Sequence, residues 1–163
     1  MYQLYQQYAK AMFNVSYRMM NNREEAEDML QEAFSEAFNK LHQFRYESTF
    51  GAWIKRIVIN KCINELKRKQ PEIYHEEDMG KYDLLDDSPV NEDEIRYEVN
   101  RIRLAMGALP DGYRVVFSLY ALEGYDHREI AGILDISEST SKSQYLRAKR
   151  KVLEVLKSQE YGR

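Results

Sequence analysis

The stretch from Tyr125 to Lys151, YDHREIAGILDISESTSKSQYLRAKRK, constrains this chain more than any other. Asp126 followed three residues later by Glu129 is a capping box, in which each side chain satisfies orphan backbone donors of a helix's first turn. Ile130, Ala131 and Leu134 then recur at helical spacing and give one narrow apolar face. The pattern breaks at Asp135-Ile136-Ser137, where a short polar residue tolerates the left-handed conformation of a sharp inter-helix turn. Ser137 suits the N-cap of a second helix. In that helix Tyr145, Ala148 and Val152 are spaced to face inward, with Ser141 one turn earlier on the same side. Lys142, Ser143, Leu146, Arg147, Lys149 and Arg150 point elsewhere, and most are donors suited to phosphates and base edges. A basic helix can also be a plain solvated face. The turn chemistry and the basic outer side together read as a helix-turn-helix, with its second helix shaped for a DNA groove.

A net charge of −3 is unexpected for a DNA binder until it is divided along the chain. Residues 1–70 carry +3, residues 71–98 carry −9 and residues 99–163 carry +3. Two mildly basic blocks therefore flank an acidic connector. Three prolines, seven glycines and no run of alternating β-branched residues among 163 predict an all-α chain.

Upstream of the connector, Leu4, Tyr8, Met12, Val15 and Met19 give an amphipathic helix over residues 2–20. Asn22 with Glu25 is a second capping box and starts the next helix. There Ala26, Met29, Leu30, Ala33, Phe34, Ala37, Phe38 and Leu41 form a wide apolar stripe. The opposite face is acidic; Glu24 and Glu36 read as solvated, while Asp28, Gln31 and Glu32 cluster more tightly and could dock a basic partner surface. His42 to Thr49 lacks helical pattern and reads as a loop with Phe44, Tyr46 and Phe50 in or beside it. Such aromatics either pack back onto the domain or stack on bases drawn out of a duplex.

Ser48 or Thr49 can cap a third helix that runs to about Lys69, with Phe50, Trp53, Ile54, Ile57, Cys62 and Leu66 as its core contacts. Arg56, Asn60, Asn64 and Lys67 follow a different stripe, suited to phosphates and base edges and ending in Lys67-Arg68-Lys69. From Gln70 to about Val90 there is too little apolar content to fold alone. Asn91 with Glu94 opens a helix through Ile95, Val99, Ile102, Met106 and Leu109. Pro110 ends it and suits the first turn of the next, which holds Val115, Val116, Leu119 and Leu122 and stops at Gly124.

No phosphate-binding glycine loop, zinc spacing or Ser/His/Asp constellation stands out, and His42, His75 and His127 are scattered, so no cofactor, metal, small-molecule substrate or enzymatic activity is expected. The lone Cys62 fits a reducing compartment, the N-terminus lacks signal-peptide shape and no apolar run reaches membrane-spanning length. A cytoplasmic location is expected.

Two helical domains, a DNA-facing helix in each and an acidic tether between them resemble the extracytoplasmic-function sigma factors, the small group of the bacterial sigma-70 family that keeps only regions 2 and 4. Region 2 signals are Asp28-Met29-Leu30-Gln31-Glu32-Ala33-Phe34, the loop through Phe50, and Trp53-Ile54, Ile57 and Asn60 running into Leu66-Lys67-Arg68. Region 4 signals are Leu109-Pro110, Glu129-Ile130-Ala131, Ile136-Ser137-Glu138, Thr140, Lys142-Ser143 and Arg147-Ala148-Lys149. The resemblance implies a region 2 domain over 1–70, an acidic linker over 71–91 and a region 4 domain over 92–163. It implies core RNA polymerase as partner, through the β′ clamp helices and the β flap, together with promoter DNA, and it admits an anti-sigma factor. Carried over by position, Asp28, Gln31, Glu32 and Phe34 belong to the polymerase-docking helix. Arg45, Tyr46, Phe50, Trp53, Arg56, Asn60, Asn64 and Lys67 would meet a melted −10 element, with one base flipped into the loop. Ser139, Thr140, Lys142, Ser143, Leu146, Arg147 and Arg150 would read the −35 element.

The chain departs from the family pattern in having Asp135 for a glycine, Ser141 for an apolar residue, Gln144 for an arginine and Asn64 for an aspartate. Ser141 predicts looser packing of the recognition helix. The rival reading is a stand-alone helix-turn-helix regulator that acts without being a polymerase subunit.

Overall fold

The computed structural model describes residues 2–72 and 99–161, which are helical with no strand among them. The chain divides into two units, Met1–Ile73 and Tyr74–Arg163.

In the first unit, α1 (Tyr2–Met20), α2 (Arg23–Asn39) and α3 (Phe50–Lys69) pack on one another. The α1–α2 corner is tight because Asn21 adopts a left-handed φ of 54° and Asn22 then caps α2, accepting from the Glu25 amide at 3.0 Å. Met12, Val15 and Met19 are buried as their spacing predicts, while Leu4 and Tyr8 at the open end of α1 are half-buried. Ala26, Ala33 and Ala37 are fully buried on α2, and their small side chains let the neighbouring helices approach. Ser16 donates to the Ala26 carbonyl at 2.9 Å and lies 3.4 Å from Cys62, whose thiol burial pushes up to about 11. Cys62 is thus an inert core residue.

Thr49, not Ser48, caps α3, accepting from the Ala52 amide at 3.1 Å. The core side of α3 is Ile54, Val58, Ile59, Cys62, Ile63 and Leu66. This corrects the expectation for Phe50, Trp53 and Ile57, which are half-buried at its rim. The stretch expected to be irregular begins with a 3₁₀ turn, Leu41–Gln43, so His42 is helical rather than in open loop.

The second unit is described from α4 (Val99–Gly107), through α5 (Asp111–Phe117), to α6 (His127–Leu134) and α7 (Glu138–Tyr161). Its core joins Ile102, Ala105, Met106, Leu109, Phe117, Ala148 and Val152. The expected cap at Asn91 and Glu94, the helical residue Ile95 and most of the acidic linker lie outside the described residues.

Two expectations for the middle of this unit are corrected. Pro110 is the N-cap of α5 rather than part of its first turn. The helix also does not run unbroken to Gly124, because after Phe117 it widens into a π turn, Ser118–Leu122. The extra residue in that turn keeps Leu119 fully buried but leaves Leu122 exposed. The Glu123 amide closes the turn on the Ser118 carbonyl at 2.9 Å, and Gly124, at φ 79°, reverses the chain into α6. Arg114, unremarked in the sequence, is 2% exposed and is held by Asp111 at 2.6 Å and the Leu109 carbonyl at 3.3 Å. Its charge is buried only because both partners are supplied locally.

Candidate nucleic-acid interface

In the second unit the helix-turn-helix forms as its turn chemistry predicts. The Glu129 amide donates to Asp126 Oδ1 at 2.7 Å and the Asp126 amide to Glu129 Oε1 at 3.2 Å, completing the capping box. Asp135 sits at φ 56° and ψ 51°, the left-handed conformation, and the Ile136 amide closes on the Ala131 carbonyl at 3.1 Å. Ser137 then caps α7, accepting from the Thr140 amide at 3.0 Å and donating to Thr140 Oγ1 at 2.8 Å.

Ser141, Gln144, Ala148 and Val152 form the buried stripe of α7. Ser139 and Lys142 are exposed, and Thr140, Ser143, Leu146 and Arg150 are half-exposed. The Ser143 hydroxyl donates to the Ser139 carbonyl at 3.0 Å, which draws it along its own helix. The outer side is therefore a surface of lysine ammonium groups, one guanidinium, small hydroxyls and a leucine. Such a set can grip phosphates and meet base edges or a thymine methyl.

In the first unit the loop before α3 is built on rings. Phe44 meets Tyr46 at 4.7 Å, Trp53 at 5.1 Å and Phe50 at 6.2 Å between centroids, and Phe50 meets Tyr8 at 5.3 Å. Gly51 makes room for the last pair, since a Cβ there would fall 2.9 Å from the Tyr8 ring. Phe44 and Phe50 pack back onto the domain, whereas Tyr46 is 85% exposed at a left-handed φ of 58°. A strained aromatic held out by a packed base is suited to stacking. Arg45 is exposed beside it. Along α3, Asn60 and Asn64 are exposed and Trp53, Arg56 and Lys67 half-exposed.

Residues 4–72 match the Sigma-70 region 2 family model, and residues 100–152 match Sigma-70, region 4. The ECF RNA polymerase sigma factor SigW of Bacillus subtilis is 30% identical over 151 residues, spanning 87% of this chain and 81% of that protein. The ECF RNA polymerase sigma-E factor of Haemophilus influenzae is 33% identical over 141 residues, spanning 80% and 74%. The chain is an ECF sigma factor. It is therefore an alternative sigma factor, directing promoter-specific transcription with RNA polymerase. The fold of sigma factor RpoE from Bartonella quintana, solved with the anti-sigma factor NepR, superposes with a TM-score of 0.61 at 21% identity over 95% of both chains. CnrH, solved with the cytosolic domain of CnrY, superposes at 0.56 and 24% identity over 96% of this chain and 86% of that one.

Within this sigma factor, two candidate residues are buried, Phe34 as its spacing predicts and Arg147 against expectation. Phe34 is 2% exposed, packed edge-on against Tyr5 at 5.0 Å and beside Phe38 at 5.8 Å. It belongs to the apolar stripe of α2 and supports the outer face that Asp28, Gln31 and Glu32 expose. Arg147 is 9% exposed rather than on the outer side of α7. It lies roughly 60° around the helix from buried Gln144, and its long stem packs into the domain.

The acidic side of the sigma factor's α2 adjoins an open depression of about 490 Å³ that Tyr5, Lys10, Phe13, Arg23, Asp28 and Gln31 help to line. Gln31 donates to the Tyr5 hydroxyl at 3.4 Å, and the Arg23 guanidinium lies 5.8 Å from the Phe13 ring centre.

Several cations of α3 are already balanced within the domain. Lys61 lies 2.8 Å from Glu36, Arg68 grips Glu65 with two donors at 2.6 and 3.0 Å, and Lys69 pairs with Glu25. Lys40 and then Lys61 hold the Glu36 carboxyl below its ordinary value. Among the described residues no group of three or more His, Cys, Asp or Glu side chains could hold a metal ion. No described helix is long and apolar enough to cross a membrane.

Proposed function

We propose that this sigma factor divides promoter recognition between its two units. Asp28, Gln31 and Glu32 dock the β′ clamp helices of core RNA polymerase, with Phe34 bracing their helix from inside. Tyr46 stacks on a base flipped from the −10 element, on a platform of Phe44, Phe50 and Trp53. Arg45, Arg56 and Lys67 hold phosphates, and Asn60 and Asn64 meet base edges. On the region 4 unit, Ser139, Thr140, Lys142, Ser143, Leu146 and Arg150 enter the −35 major groove, and Arg147 secures α7 from the buried side. The β flap receives this unit on the polymerase.

The two-sided surface of α7 carries this reading, with its inner stripe buried and its donors outward. Flipping a base costs a few kcal/mol, which stacking worth roughly 1–3 kcal/mol and a fitted loop can offset. Binding through two tethered units raises the effective concentration of the second once the first is bound. The protein itself performs no chemistry in this scheme and works in the cytoplasm beside the polymerase. The RpoE structure contains an anti-sigma factor, which supports a partner of that class here.

Run-off transcription from genomic fragments, with and without this protein added to core polymerase, is the test. Discrete new transcripts that need the protein are expected, and their start sites locate both elements. Tight binding of duplex DNA by the protein alone, with no new transcript, would replace this reading by the stand-alone regulator.

A further inference from the structure

Three parts of the helix-turn-helix unit meet on one side chain. His127 opens α6, and its ring stacks on Tyr120 of the π turn, 4.4 Å between centroids and 12° between planes. Tyr145 of α7 lies 5.9 Å away on a tilted plane. The ring's Nδ1 is 2.8 Å from the hydroxyl of Ser141 on α7. Ser141 is fully buried, in a stripe otherwise made of Gln144, Ala148 and Val152. A buried hydroxyl without a partner is costly, so His127 is what makes serine acceptable there.

Ser141 is flanked in sequence by Thr140 and Lys142, both on the DNA-facing side of α7. A polar bond at residue 141 is directional, whereas an apolar contact would let the helix slide and turn. Groups that must meet a groove together need support of that kind, since displacements of even about 0.5 Å matter. We propose that His127 is a positioning residue for −35 recognition, its bond to Ser141 setting the axial register of α7 on α6. The proposal rests on the reading of α7 as the −35 helix.

The surroundings of the ring give the proposal a second signature. Around it stand Asp126 from its own cap, Lys142 and Glu138 from α7, and the hydroxyl-bearing rings of Tyr120 and Tyr145. Burial, and then Lys142, hold His127 below its ordinary value, against the pull of Asp126 and Glu138. The neutral ring can accept from or donate to Ser141, according to its tautomer. The protonated ring can only donate, and its charge sits at the N-terminal end of α6, where the helix dipole opposes it. With the histidine lowered, the released or unfolded chain binds the proton first. The contact is therefore whole above the ordinary histidine range and weakens as pH falls through that range toward the folded value.

The test uses the full chain with core polymerase, on a promoter found by run-off mapping and on the same promoter with its −35 element scrambled, between about pH 5.5 and 8. His127→Phe keeps the ring and loses the bond, Ser141→Ala removes the other partner, and His127→Asn places an amide where Nδ1 stands. We expect His127→Phe and Ser141→Ala to lower −35-dependent initiation by roughly 3- to 10-fold at the alkaline end. His127→Asn should restore it, and both His127 variants should lose the wild type's decline in acid. Competition for core polymerase should be unchanged. If His127→Phe lowers the melting temperature, Ser141→Ala, with its ring intact, decides. Equal initiation by wild type, His127→Phe and Ser141→Ala at every pH overturns the proposal, as does an equal loss on the scrambled promoter. If run-off mapping with the wild type yields no promoter at all, the functional reading is overturned, and the positioning role with it.

Discussion

The Lys61 ammonium on α3 lies 2.8 Å from a Glu36 oxygen on α2, and the other Glu36 oxygen takes Lys40 at 2.7 Å. Glu36 thus clips two helices together, although the sequence reads it as simply solvated. Glu36→Gln should cost about 0.2–1 kcal/mol at neutral pH, the range for partly exposed pairs. A carboxyl held below its ordinary value of 4.5 binds fewer protons folded than unfolded. Its contribution is complete above that value and fades as pH falls through it. Urea unfolding of wild type and variant at about pH 7 and pH 4 should show the gap narrowing in acid; a constant gap would mean the clip is electrostatically idle.

Tyr46→Ala should slow promoter opening by roughly 10- to 100-fold, the equivalent of one lost base stack of about 1–3 kcal/mol, while core binding is unchanged. A fluorescent base analogue in the −10 element reports this directly. Phe44→Ala, which removes the platform beneath Tyr46, should act in the same direction and also lower the melting temperature. Normal opening kinetics in Tyr46→Ala would remove the flipped-base role from the loop.

Lys142 and Arg147 should separate cleanly. Lys142→Ala leaves the fold intact, weakens −35 binding and reduces the salt slope by about 1, as one lost phosphate contact does. Arg147→Ala should lower thermal stability, because a nearly buried side chain is removed. Any loss of DNA affinity in Arg147→Ala should track that destabilisation. If Arg147→Ala keeps its melting temperature but loses specificity at one base pair, the arginine reaches DNA after all.

At the helix-turn-helix corner, Asp135→Gly should hold or raise the melting temperature, since glycine adopts the left-handed φ of 56° without steric cost. Asp135→Val should lose about 1–2 kcal/mol at the same position. Thermal melts of the two variants check this; similar values would show that the turn relaxes away from its left-handed conformation.

The features legible in the sequence are the local ones. The Asp126/Glu129 box, the left-handed Asp135 and the Ser137 cap each depend on residues within three or four positions, and all form. The Asn22/Glu25 pair shows where locality ends. Only half of the expected box forms: Asn22 caps α2, while the Glu25 carboxylate pairs with Lys69, 44 residues away, a partner no spacing rule can supply. Helical spacing misplaces Arg147 because it gives only an angle around the axis, and the width of the buried arc is set by the neighbours. Arg114 escapes notice because a charged side chain is expected outside unless its local partners are recognised. Ser141 predicts looser packing by chemistry alone; its histidine partner lies 14 residues back and becomes visible only when the helices are assembled.

The π turn at Ser118–Leu122 makes the unit sensitive to length as well as to composition. A helix that widens to take one surplus residue presents the side chains of that turn at angles an ordinary turn would not. Deleting a residue there would restore ordinary pitch and shift the side chains of the turn itself by roughly 100° about the helix axis. Tyr120 would then swing away from His127, and the seat on which α6 and α7 share a common origin would be lost. In this stretch a one-residue deletion would do more harm than most substitutions, because it removes the seat that Tyr120 offers to both His127 and Tyr145.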